Sequence, residues 1–164
     1  MNKEEIFNGL WTITKEKYNA CKEEAASVDN NRPTERGALQ LKTGIYNVAI
    51  AAGLISGSDQ ATELMGKRFN HLMKFFPDIA NHYHTLPDDQ KEIMEISLYP
   101  EMFMRVNFYN SYNIELEQAE KSGDPQKIFK ARLKKEVLGE ILNMWRAYRV
   151  ENHLFEFAFN DKEE

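Results

Sequence analysis

Read for the spacing of its apolar side chains, the chain divides into amphipathic blocks separated by polar and proline-containing breakers. The stretch TERGALQLKTGIYNVAIAAGLISG, Thr34 to Gly57, sets Leu41, Ile45, Val48, Ala52 and Ile55 at helical steps, with Leu39, Tyr46, Ala49 and Leu54 widening the stripe. No charge follows Lys42 within it. A helix apolar nearly all round needs neighbours on every side, and Gly44, Ala49, Ala51, Ala52 and Gly53 let their backbones come close. The pattern predicts a buried central helix over about 34–57, with Thr34 as its cap.

The blocks on either side are also helical in period. From Lys3 to Val28, Phe7, Trp11, Thr14, Tyr18, Cys21, Ala25 and Val28 alternate at four- and three-residue steps beside Ile6, Leu10 and Ile13, and Asp29–Pro33 breaks the run. Ser58 or Asp59 caps a third helix with Ala61, Leu64, Met65, Phe69, Leu72, Met73 and Phe76 inward, and Pro77 stops it. The proline-bounded PDIANHYHTLP has room for one or two turns. Pro87, Asp88 and Asp89 open a helix through Ser97, and Pro100 is expected to interrupt it.

Between Tyr99 and Leu116 apolar residues point in almost every direction of a helical wheel, so the segment is read as a helix that stops at Ser122 and Gly123. Met104, Val106 and Phe108 alternate with Arg105 and Asn107, which makes a short strand the competing reading. Asp124 and Pro125 then start a long last helix, about 125–158, with Phe129, Leu133, Val137, Ile141, Met144, Tyr148 and Phe155 inward and a frayed tail at about 160–164. The predicted class is all-α: a single-domain helical bundle of roughly five to seven helices.

Composition narrows the function classes. Hydrophobic residues at 42% and charged residues at 29% are globular proportions, and a net charge of -5 argues against a globally basic nucleic-acid binder. Cys21 is the only cysteine, which excludes an intramolecular disulfide framework, and MNKEEIF carries acids where a secretory signal carries a basic segment. The longest apolar run, Val48–Ile55, is far short of the ~20 residues a membrane span needs, so a cytoplasmic protein is expected.

Three features could carry function. Tyr99, Met102, Phe103, Met104, Phe108, Tyr109 and Tyr112 are types enriched at partner surfaces, and a helix near the surface can hide only part of its circumference. They are the predicted partner-binding surface, with Asn107, Asn110 and Asn113 as a polar rim and a protein partner or a second copy as occupant. His71, His82 and His84 are candidate metal ligands or pocket residues, with His153 and Glu156 a further helical pair, although no cysteine and no Glu-x-x-His step accompanies them. Arg132, Lys135, Arg146 and Arg149 share one face of the last helix and are candidate phosphate contacts. Cys21 lies on an apolar stripe, where a thiol is usually inert, and GLISG lacks the lysine of a phosphate loop. No catalytic residue and no cofactor is assigned. The expected function is non-enzymatic: a protein-binding or regulatory helical protein, such as an adaptor, inhibitor or assembly subunit. A metal or small-molecule enzyme and a nucleic-acid binder are the alternatives.

Overall fold

The punctuation of the sequence sets most helix boundaries in the computed structural model, which describes residues 1–54 and 59–155, and of residues 52, 53 and 59–63 the backbone alone. Helix α1 (Lys3–Ser27) starts at Asn2, whose side chain accepts from the Glu5 N–H at 2.9 Å while Glu5 accepts in return from the Asn2 N–H. Helix α2 (Pro33–Val48) begins on its proline, so Thr34 lies inside the first turn rather than capping it. A π turn, Ala49–Gly53, follows, and the predicted end at Gly57 lies outside the described residues.

Helix α3 (Asp59–Leu72) passes through a 3-10 turn, Met73–Phe75, into α4 (Pro77–Tyr83). The cap at Ser58 and the side chain of Ala61 are not among the described features. Met65, Phe69, Leu72 and Met73 are buried as the spacing requires, whereas Leu64 is exposed. Helix α5 (Asp88–Met104) runs straight through Pro100. The expected interruption does not occur: the proline cannot donate to the Ile96 carbonyl, but it is buried, and packing on every side holds the helix together.

Among the described residues there is no strand, and the alternation at Met104–Phe108 becomes a π turn, Arg105–Tyr109, between α5 and α6 (Asn110–Ser122). An extended segment there would have no neighbouring strand for its backbone groups. Gly123 takes a left-handed φ of 71° that ends α6, and Asp124 accepts from the Gln126 N–H at 2.9 Å to start α7 (Pro125–Glu151). The last helix is shorter than the expected 125–158. His153, at φ 55°, turns the chain so that Leu154 N–H donates to the Arg149 carbonyl at 2.9 Å. Residues 156–158 and the tail at 160–164 lie outside the described residues.

The class is all-α, a helical bundle with a long C-terminal helix. Its centre, however, is α5 rather than 34–57. From Met94 to Met102 every residue of α5 is buried, enclosed by α1, α3, α7 and the Ala49–Gly53 turn. Within α2 only Ile45 and Tyr46 are buried, and its first half is exposed or half-buried. Small residues such as Gly37, Ala38 and Gly44 remove little apolar surface from water, so the core forms where Leu98, Tyr99, Met102 and Trp145 meet. Helix α7 approaches α1 closely at Gly9, where any Cβ would run into the Tyr148 ring. Nearby, Thr14 in α1 accepts from the Trp145 indole at 2.9 Å and donates to the Leu10 carbonyl, so both buried polar groups are satisfied. No described helix is long and apolar enough to cross a membrane.

Candidate functional site

The predicted partner surface proves to be mostly interior. Tyr99, Met102 and Met104 are buried in the core, because the helix that carries them is the central one, and they offer nothing to a partner. Phe103, Phe108, Tyr109 and Tyr112 are half-buried and pack against that core. Their rings form a ladder: Tyr99 to Phe103 at 6.0 Å, Phe103 to Phe108 at 6.3 Å and Phe108 to Tyr112 at 5.8 Å between centroids. The rim is also incomplete. Asn107 and Asn110 are exposed, but the Asn113 amide is buried without a hydrogen-bond partner.

The ladder ends against α7. Lys134 lies 5.8 Å from the Tyr112 ring centroid and pairs with Glu115 at 2.8 Å, tying α6 to α7. On its other side Lys134 lines an open groove of about 920 Å3 between the first turns of α2 and α7. The apolar wall is Ala38, Leu41, Phe129 and Leu133, with Pro33 and Pro125 also in the lining. Phe129, expected on the inward stripe, is 48% exposed, because it faces the gap between α2 and α7 rather than the core. The charges lining the groove are Lys130 and Lys134, and no carboxylate is among its described lining residues.

A different arrangement occupies the far end of α7. Glu101 is fully buried on α5, and its carboxylate accepts from Arg105 Nε at 2.8 Å and from Arg149 Nη2 at 2.6 Å. Arg146 Nη2 stands 3.9 Å from the same carboxylate with its side chain 40% exposed. Arg149 is therefore removed from the proposed phosphate-binding face: as part of a buried ion pair it cannot meet a nucleic-acid backbone. Arg132 is exposed beside Glu120 at 3.8 Å, and Lys135 is half-buried. The four cations do not form one solvent-facing row.

Sequence reading passed over Glu101. The available signal was its four-residue step to Arg105, a helical pairing distance, but nothing local says that the pair is buried or that Arg149 joins it from 48 positions away.

The histidines do not converge. His71, His82 and His84 are all exposed and make separate edge contacts, to Phe75, Phe155 and Tyr83 respectively. Among the described residues no three His, Cys, Asp or Glu side chains come together as metal ligands. His153 lies beyond the end of α7, and Glu156 is outside the described residues.

Two further buried groups titrate away from their ordinary values. Burial pushes the Cys21 thiol up, against the opposing charge of Lys42, which keeps it protonated and unreactive. Burial also raises the Glu95 carboxyl, partly countered by the Tyr83 hydroxyl that donates to it at 2.6 Å. No protein-family model, curated protein or solved structure was found to match the chain, so its own residues carry the functional reading.

Proposed function

We propose that the protein is a non-enzymatic helix-binding module that takes an acidic amphipathic segment of a protein partner into the groove between α2 and α7. The observation that carries this reading is the lining of the groove: an apolar floor of Ala38, Leu41, Phe129 and Leu133, with Lys130 and the Glu115-paired Lys134 at its edge and no carboxylate among the described lining residues. An apolar groove bordered by two helices suits the helix-in-groove mode, in which apolar side chains at helical steps fill the floor and charges pair along the rim. The predicted partner surface around Tyr99–Tyr112 thus moves to the neighbouring face, which Lys134 and Tyr112 join.

A second copy suits the groove less well. A two-fold contact would set the Lys130 side of one groove against the same cations of the other, between chains that each carry a net charge of -5. The setting is taken as the cytoplasm, since the one cysteine is a buried free thiol.

The test is fluorescence anisotropy with a labelled amphipathic peptide bearing Leu and Phe on one face and Glu on the other, run beside the same peptide with Lys for Glu. The Glu peptide should bind at least about tenfold more tightly, and Phe129→Asp should reduce its affinity by a similar factor while circular dichroism stays unchanged. Equal binding of the two peptides, or binding that Phe129→Asp leaves untouched, overturns the proposal. Self-association abolished by Phe129→Asp would instead assign the groove to a second copy.

A further inference from the structure

The two helices that border the groove run in the same direction. Pro33 and Pro125, the first residues of α2 and α7, both line it, and so do Leu41 and Leu133 farther along. Beyond them Lys42 and Tyr46 of α2 both reach Glu140 of α7, at 3.3 Å and 3.4 Å. An antiparallel pair could not meet both at its starts and at Glu140. The charges differ from one end to the other. Near the start stands Lys130, which no carboxylate meets among the described residues, whereas Lys134, one turn later, is already paired with Glu115. Past Leu41 the next cavity, between α1, α2 and α7, brings in the carboxylates Glu24 and Glu140 against Lys17 and Lys42. The groove is therefore positive where both helices begin and balanced at the other end. The backbone dipoles of parallel helices add to the same gradient; Asp124 offsets part of it by capping α7, while α2 has no side-chain cap.

We infer that a helix taken into this groove runs antiparallel to α2 and α7 and carries its acidic residues in its last turns, beside Lys130. This rests on the groove being where the partner binds. A helix is negative at its C-terminal end, so that end belongs at the Pro33 and Pro125 end of the groove, and its N-terminal end lies toward Glu140. Length follows from the lining. Pro125 to Lys134 spans roughly 14 Å at 1.5 Å of rise per residue, so about three turns of the bound segment fill the groove.

The test uses the full chain and two isomeric peptides with the same Leu and Phe face, one with Glu only in its last turn and the other with Glu only in its first. A double-mutant cycle isolates the contact. Lys130→Gln, an exposed change that should leave the fold intact, should weaken binding of the last-turn isomer at least about threefold and change the first-turn isomer by less than about 1.5-fold. A nitroxide at the C-terminus of the last-turn isomer should broaden the amide signals of Thr34 and Gln126 and spare Glu140. Moved to the N-terminus, the label should do the reverse. Equal effects of Lys130→Gln on the two isomers, or a C-terminal label that broadens Glu140 in place of Gln126, overturn the inference and leave the groove reading standing. Failure of both peptides to bind overturns the groove reading and the inference with it.

Discussion

The two ends of α7 differ more than their sequences suggest. Near the start, Phe129 and Leu133 sit on the same helical stripe as Val137 and Ile141, yet Phe129 is 48% exposed while Val137 and Ile141 are buried. Near the finish, Trp145 and Arg149 are fully buried, one bonded to Thr14 of α1 and the other to Glu101 of α5. What separates the ends is neighbours. Helix α5 covers the second half of α7, whereas the first half has α6 on one side and the thinly packed, small-residue start of α2 on the other. A single amphipathic helix thus supplies core at one end and an open groove at the other.

The sharpest way to break this comparison is to truncate an aromatic at each end. Trp145→Ala should cost about 3–5 kcal/mol in urea unfolding, since it leaves a cavity and deprives Thr14 of its donor. Phe129→Ala should fall within about 0.5 kcal/mol of the parent protein. Comparable losses at both positions would mean that the groove is closed in solution.

Next in size is the charge cluster. Glu101→Leu should destabilise by about 3–5 kcal/mol, because it strands a buried guanidinium, and Arg149→Met should cost less, because Arg105 remains on Glu101. The reverse order in denaturant titrations would show that Arg149 holds the pair by itself. The smallest effect concerns Glu95, whose carboxyl is raised above its ordinary value of 4.5 by burial. A raised carboxyl contributes stability that is complete below the unfolded value and is lost as pH rises through the folded one. Glu95→Gln keeps an acceptor for Tyr83 and removes that loss. Its melting midpoint relative to the parent should therefore be higher at pH 7 than at pH 4, and a constant difference across that range would refute the assignment.

Much of the fold was legible because its signals are local. Asp124–Pro125 opens α7, Gly123 closes α6 with a left-handed backbone, Pro77 separates α3 from α4, and the periodicity of Met65, Phe69 and Leu72 identifies their inner face. The misplaced features share a cause. Apolar coverage of a whole helical circumference was read as a central helix at 34–57 and as an exposed surface at Tyr99–Tyr112, although the same pattern supports either meaning. The structure puts the centre at α5, and with it Tyr99, Met102 and Met104. Pro100 misled in a similar way: a proline breaks an isolated helix, but inside α5 the surrounding packing outweighs one missing hydrogen bond.

By itself, the sequence determined the all-α class, most helix ends and the exclusion of a disulfide framework, because capping, periodicity and cysteine count act over a few residues or none. Only the tertiary structure decided that α5 is the centre, that Arg149 leaves the basic face for a buried carboxylate, and that Lys130 and Phe129 border an open groove. Burial belongs to pairs of elements rather than to one of them, and the pairs that matter here, Thr14 with Trp145 and Glu101 with Arg149, are brought together from 131 and 48 positions apart.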